Sequence, residues 1–312
     1  MDDTDWRTLV ESIRAGKCTP FLGAGVAVPH LCLGGALARD LATRCNYPLS
    51  DADNLARVTQ FLATTHQPDY ARRMVKAHIQ EGQQRFSDED SSGVPLNFSR
   101  LATLDLPIYI TTNYDDFMAR AVTARLQRPA RVEICRWHDR LIDELGKYRR
   151  DEPTGADPLV FHLHGHVSND SSMLVTEDDY VDFMVSLANR GAKEVPVLSH
   201  WVRRALGLTT LLFIGYSLED WNFRVLMRHL MKQQKLLRTD QAFSVSIQLP
   251  PEDAHLDPDR RKAAMKFLSD YLGLTAIHVH WGTAADFLTE LTERVADVAP
   301  DPARRPVDAV AQ

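Results

Sequence analysis

The sequence predicts an α/β fold: a mostly parallel, Rossmann-like sheet with helices on both faces and a helical insertion near its start. Two observations carry this. Short strand-like apolar runs recur along the chain, and amphipathic helical patterns lie between them, the alternation that builds a parallel sheet covered on both sides. Each run ends in polar or glycine-containing sequence, so the unusual residues gather where strands finish. That is the edge at which open parallel sheets bind ligands.

Composition sets the outer limits. The chain has 312 residues, 44% of them hydrophobic and 25% charged, with a net charge of −6. This is ordinary for a soluble globular protein and long enough for a full core. The most apolar run, 206–216, is interrupted by Thr209 and Thr210. It falls short of the ~20 residues a bilayer helix needs. The N-terminus is acidic and lacks a signal pattern, so a cytoplasmic protein is expected. Negative net charge gives no general pull on nucleic acid, and direct nucleic-acid binding is not expected. The basic groups Arg203-Arg204 and Arg260-Arg261-Lys262 are short and read as solvated helix faces. Cys18, Cys32, Cys45 and Cys135 form no C-x-x-C pair, which speaks against a zinc ribbon or a secreted disulfide framework.

Trp6, Leu9, Val10 and Ile13 stand at i, i+3, i+4 and i+7, one face of a helix expected to be capped by Thr4 and stopped by Gly16. Residues 18–22 read as a buried strand running into Gly23-Ala24-Gly25, and a helix follows over 35–44. From about 48 to 100 the patterns are helical only, around Leu55, Val58, Phe61 and Leu62 and then Tyr70, Met74 and Ala77, with a polar separator at 87–93. This is the insertion. Self-association or gating would suit it, as would simple packing on the sheet. Further strands are expected at 107–111, 159–163, 211–214, 243–249 and 275–281, and helices at 117–126, 180–188, 197–206, 221–230 and 286–298. One domain is expected over 1–300, with a flexible tail or linker at 301–312.

Four motifs sit at the expected strand ends. In FLGAGV (21–26), two glycines would let the backbone turn tightly and approach a pyrophosphate at a helix start. Val28 occupies the place of the third glycine of a dinucleotide fingerprint, so an ordinary strand-to-helix turn fits equally. In TTNYDD (111–116), Asn113 offers donor and acceptor and Asp115 an ionised acceptor. They would bind an amide or ribose or position a water, but taken singly the motif favours a cap by Thr112, Asn113 or Asp115 on the next helix. In FHLHGHV (161–167), His162, His164 and His166 would share a face of a continuing strand, a metal-ligand pattern that Gly165 interrupts. The favoured reading is a catalytic His164 backed by a mobile Gly165, its ordinary pKa of ~6.5 suiting a general base. His162 and His166 read as packed or surface residues. In FIGYSLEDWNFR (213–224), Gly215 permits close approach, Ser217 supplies a hydroxyl, and Ser217 and Asp220 would bind ligand, cap the next helix, or both.

The order of these motifs, GAG, then TTNYD, then LHG, then GYSxxD, resembles the sirtuin-like superfamily, specifically its bacterial NAD-cleaving branch. The likeness covers about 21–220. It implies a sheet that binds NAD+ as substrate, without metal. Gly23, Ala24 and Gly25 would hold the pyrophosphate. Asn113 and Asp115 would match the Asn-x-Asp pair near nicotinamide and its ribose, with Thr112 beside them. His164 would match the histidine before glycine. Gly215, Tyr216, Ser217 and Asp220 would form a second nucleotide-contacting loop. Three departures stand out: Ala27 replaces the usual serine, no segment matches the arginine-containing loop that closes over NAD, and the zinc module is missing. The resemblance therefore implies NAD+ hydrolysis over protein deacylation. It also implies an anti-phage effector held silent by oligomerisation, by a small signal, or by a partner such as a HerA-type ATPase or an Argonaute. The rival readings are an NAD(P)-dependent oxidoreductase, which would need a Tyr-x-x-x-Lys or similar set, and a non-catalytic NAD- or ADP-ribose-binding module.

Overall fold

Seven strands form one sheet: β1 (Cys18–Leu22), β2 (Ile108–Thr111), β3 (Arg131–Ile134), β4 (Leu159–His162), β5 (Thr210–Ile214), β6 (Ser244–Gln248) and β7 (Ile277–Trp281). Their order is β3-β4-β2-β1-β5-β6-β7, and every pairing is parallel. These come from a computed structural model that describes residues 1–67, 69–90, 92–188, 195–216, 243–250, 257–273 and 276–297. Eleven α-helices occur among the described residues: α1 (Asp3–Arg14), α2 (Gly34–Arg44), α3 (Leu55–Thr65), α4 (Tyr70–Glu89), α5 (Leu96–Ala102), α6 (Phe117–Leu126), α7 (Asp139–Leu145), α8 (Glu177–Ala188), α9 (His200–Leu208), α10 (Pro258–Gly273) and α11 (Ala284–Asp297). The arrangement is the Rossmann-like α/β fold expected. None of the described helices is long and apolar enough to cross a membrane.

The five inner strands are buried on both sides, the edge strands β3 and β7 less so, and alternate residues feed two cores. Along β5, Leu212 and Ile214 join one core, while Leu211 and Phe213 join the other. The first core takes the apolar faces of α1 to α6 and α11; the second takes those of α7, α8 and α9. The insertion helices belong fully to the first. Val58, Leu62, Val75, Ile79, Phe86, Phe98 and Leu101 share it with Leu9, Leu41 and Phe117. Packing is thus part of what the segment does.

Several local expectations need correction. Asp2, not Thr4, caps α1: its side chain accepts the Asp5 N–H while Asp5 accepts the Asp2 N–H, a reciprocal capping box. Helix α9 starts later than its pattern, at His200, because Ser199 caps it by accepting from Val202 N–H. Helix α4 runs into the polar stretch taken as its end, to Glu89. The elements β3, α7 and α10 carried no clear signal. Strand β3 is a four-residue edge strand, and α10 buries only Leu272. The helix expected at 221–230, the tail at 301–312, and Ser217 and Asp220 lie outside the described residues.

Candidate functional site

Strands β4, β2, β1 and β5 are consecutive neighbours. All run the same way, so the four motif loops leave one edge of the sheet side by side. The chain passes from β1 to strands on one flank and later returns to β5 on the other. The switch point of the topology therefore falls between β1 and β5, where the first and fourth motifs emerge.

These two motifs are fastened to each other. Gly23 N–H donates to Ile214 O and Gly25 N–H to Gly215 O, each at 2.9 Å. Gly215 has φ of +81°, and a methyl group there would lie 2.5 Å from Val26 N. A methyl on Gly23 would lie 2.7 Å from Gly215 O. Mutual packing of two loops thus already requires glycine at these positions, independently of any phosphate. Of the Gly-Ala-Gly trio, Ala24 is the exposed member and opens a short 3-10 turn (Ala24–Ala27). The first N–H groups of such a turn have no partner within it.

The second motif is tied to both neighbours. Asn113 is buried, its Nδ2 donates to Gly23 O at 3.1 Å, and its N–H donates to Thr111 Oγ1 at 3.0 Å. Its Oδ1 makes no hydrogen bond to a described residue, so the carboxamide keeps an acceptor to offer. Thr112 Oγ1 lies 2.8 Å from Tyr216 Oη, which donates to Leu22 O at 2.8 Å. These two hydroxyls knit the β1, β2 and β5 ends together.

Asp115 follows the capping reading: its Oδ1 accepts from Phe117 N–H at 3.1 Å at the start of α6. Burial, reinforced by the charge of Asp116, raises its pKa from the ordinary 3.8 to about 7. The folded protein therefore holds a proton on Asp115 that the unfolded chain has lost. The stability this contributes is full below the ordinary carboxylate value and disappears as pH rises towards 7. We expect Asp115→Asn to gain in melting temperature relative to wild type as pH climbs from about 4 to 7. A difference that stays flat in a pH series of thermal melts would mean that Asp115 is ionised throughout.

The third motif departs from expectation. Strand β4 ends at His162, and the chain turns at 163–164, so the three histidines do not share a strand face. His162 is fully buried, with Nδ1 3.1 Å from Asn113 O, and its ring meets that of His166 edge-on at 4.4 Å. His164 turns instead against Tyr180 and Phe183, each ring 5.5 Å away and edge-on. The ring makes no hydrogen bond to a described residue. Burial drives its pKa from the ordinary 6.5 to about 3, which overturns the expectation of an unperturbed base. The imidazole is neutral at every physiological pH. Gly165 is also not a mobile hinge. Its φ is +94°, and a methyl there would lie 2.2 Å from Ser172 O, so its role is close backbone approach.

The loops of β2 and β4 meet directly: Leu163 N–H donates to Thr111 O at 2.8 Å and Val167 N–H to Tyr114 O at 3.0 Å. With the His162–Asn113 contact, these bonds put the Asn113 and His164 loops in one wall. The sequence reading missed the residues that hold this wall. Tyr114 Oη donates to Leu174 O, and Leu174 N–H donates to His164 O at 2.9 Å. No local pattern marks such contacts, because each joins segments far apart in sequence. No group of three or more His, Cys, Asp or Glu side chains suited to a metal occurs among the described residues.

The all-parallel sheet, with helices on both faces, defines an α/β protein of Rossmann-like architecture. The chain belongs to the SIR2-like domain family, whose model matches residues 107–272. That stretch contains the Asn113, His164 and Gly215 loops and leaves out the Gly23-Ala24-Gly25 turn. SIR2-like domains use NAD+, so an NAD-related activity follows. No curated protein matches the chain.

Proposed function

We propose that the protein is an NAD+ hydrolase that cleaves the N-glycosidic bond between nicotinamide and ribose. The observation that carries this reading is the junction of Gly23, Asn113 and His162 through side-chain-to-main-chain bonds. Through Asn113 Nδ2 to Gly23 O and His162 Nδ1 to Asn113 O, three motif loops are bound into one surface.

The chemistry needs orientation more than redox power. The C1′–N bond breaks and its electron pair goes to the pyridinium nitrogen, which leaves neutral. The ribose becomes oxocarbenium-like, water adds at C1′, and one proton is released. In this scheme Asn113 Oδ1, unbonded among the described residues, holds a ribose hydroxyl or the attacking water. Neutral His164 accepts a hydrogen bond from a ribose hydroxyl and favours electron release toward C1′. Asp115 orients the loop through its bond to α6. Ala24, with Gly23 and Gly25 behind it, faces the pyrophosphate, and Thr112, Gly215 and Tyr216 form the wall beside it. Ser217 and Asp220 complete the second nucleotide loop in this proposal. Such an activity drains a cellular cofactor. We therefore assign it to anti-phage defence, with restraint by self-association or by a partner such as a HerA-type ATPase or an Argonaute.

The decisive assay incubates purified protein with NAD+ and follows nicotinamide, alone and with infected-cell extract. Release of nicotinamide is expected, and Asn113→Ala should lower it by about 100-fold, the scale of a lost positioning contact. Full activity in Asn113→Ala would remove the residue from the site. One observation favours a non-catalytic NAD- or ADP-ribose-binding module: Thr112, Asp115 and Tyr216 spend polar atoms on internal bonds. Binding of NAD+ without release, even in extract, would select that reading.

A further inference from the structure

We infer that α4 is a brace that sets the separation of the Asn113 and His164 loops, with Lys76 and Gln83 as positioning residues. The inference rests on the NAD+-cleaving reading of the site.

Arg72, Lys76, Ile79, Gln83 and Phe86 recur at spacings of four and three, which puts them along one face of the helix. Ile79 and Phe86 anchor that face in the core. The polar members reach out to the loops. Lys76 Nζ lies 2.6 Å from Asp170 Oδ1, in the turn that follows His164 and Gly165. Arg72 pairs with Asp179, and its Nε donates to Met173 O at 3.3 Å. The second oxygen of Asp179 accepts the N–H groups of Val175 and Thr176, each at 2.9 Å. This secures the segment whose Leu174 bonds His164 O, and the start of the helix whose Tyr180 and Phe183 enclose the His164 ring.

The other end of α4 holds the second loop. Gln83 Nε2 donates to Asp116 Oδ1, three residues beyond Asn113. Asp116 also pairs with Arg120 at 2.7 Å, and Arg120 Nη1 donates to Ser87 Oγ of α4 at 3.1 Å. Seven residues separate Lys76 from Gln83, or about 10 Å of helix axis. A rigid rod of that length thus joins the loop carrying one candidate catalytic group to the loop carrying the other. The same helix meets the segment after the Gly-Ala-Gly turn, where the His30 and Phe86 rings lie 4.4 Å apart. One element therefore touches the second motif and the segments that follow the first and third, and a shift of α4 moves them together.

Partly exposed pairs such as Lys76–Asp170 add little to global stability, which separates positioning from folding. The test uses Lys76→Met, Gln83→Leu and the exchanged pair Lys76→Glu with Asp170→Lys. Each is read by kcat and KM for nicotinamide release, by thermal melting, and by amide hydrogen exchange of residues 113–117 and 164–176. The expected result is a kcat lowered by about 10- to 100-fold with KM little changed. Exchange in both loops should quicken, melting should hold, and the exchanged pair should regain activity. Wild-type kcat and unchanged exchange in Lys76→Met would overturn the brace, as would a loss that follows melting and is not regained by the exchanged pair. Should Gln83→Leu fail to fold, Lys76→Met and the exchanged pair decide. Should wild-type protein release no nicotinamide even in infected-cell extract, the NAD+-cleaving reading falls and exchange alone judges the brace: faster exchange in both loops upholds it, and unchanged exchange ends it.

Discussion

Alanine in place of His164 is expected to lower nicotinamide release by about 100-fold, the scale of a lost positioning contact. The fold should survive, because the His164 ring makes no hydrogen bond to a described residue and is held by edge contacts to Tyr180 and Phe183, while its main-chain bond to Leu174 does not depend on the side chain. The pH behaviour distinguishes a buried neutral imidazole from an ordinary one. With a folded pKa of about 3 against 6.5 unfolded, His164 takes up a proton on unfolding throughout that interval. Its presence therefore costs stability as pH falls from 6.5 towards 3, as does His162, driven equally low by burial. Melting of His164→Ala should accordingly decline less than that of wild type between pH 7 and 5, which scanning calorimetry reads directly. Turnover should show no one-proton loss near pH 6.5 attributable to this residue. A titration at that pH that vanishes in His164→Ala would return the imidazole to solvent and to an unperturbed role.

The sequence and the structure agree best where information is local. Helix α6 has the bounds expected, because its pattern is bracketed by Asp115 and Asp116 ahead of it and Gln127 in a left-handed turn behind it. The convergence of the four motifs was also legible, since a parallel sheet leaves the ends of adjacent strands nowhere else to go. Two kinds of information were hidden. One is environment: His164 reads as an ordinary histidine until Tyr180 and Phe183, 16 and 19 positions later, fold over it. The other is the partner of a close approach. Gly23 and Gly25 fit a phosphate-binding turn by their spacing, yet the atoms that fill the space of their missing side chains belong to Gly215 and Tyr216. The capping reading of Asp115 was available from its place before a helix, whereas its raised pKa required knowledge of burial. The insertion concealed its purpose for the same reason: a polar stripe on α4 looks like a solvated face until Asp116, Asp170 and Asp179 are found against it.

Gly165→Ala is expected to be the most destabilising single-methyl change in the site. An L-residue at φ +94° leaves its favourable regions, at ~1–2 kcal/mol for left-handed backbone. The added methyl would also lie 2.2 Å from Ser172 O, 2.4 Å from its carbonyl carbon and 2.6 Å from Met173 N. These are backbone atoms, so no rotamer change relieves the contact, and overpacking adds ~1–3 kcal/mol. The sum, ~2–5 kcal/mol, is a large part of the ~5–15 kcal/mol that holds a domain folded. Relief would require the 172–173 segment to back away, which strains the Trp137 Nε1 bond to Ser172 O and the Leu174 bond to His164 O. Activity should therefore fall with stability. Gly93→Ala supplies the comparison: φ is +61°, but nothing lies within 4 Å of an added methyl, so only the conformational cost of ~1–2 kcal/mol remains. Urea unfolding of the two variants measures the difference. Equal losses would mean that the turn after His164 has room to spare, and that the wall it forms with Asn113 is looser than these contacts require.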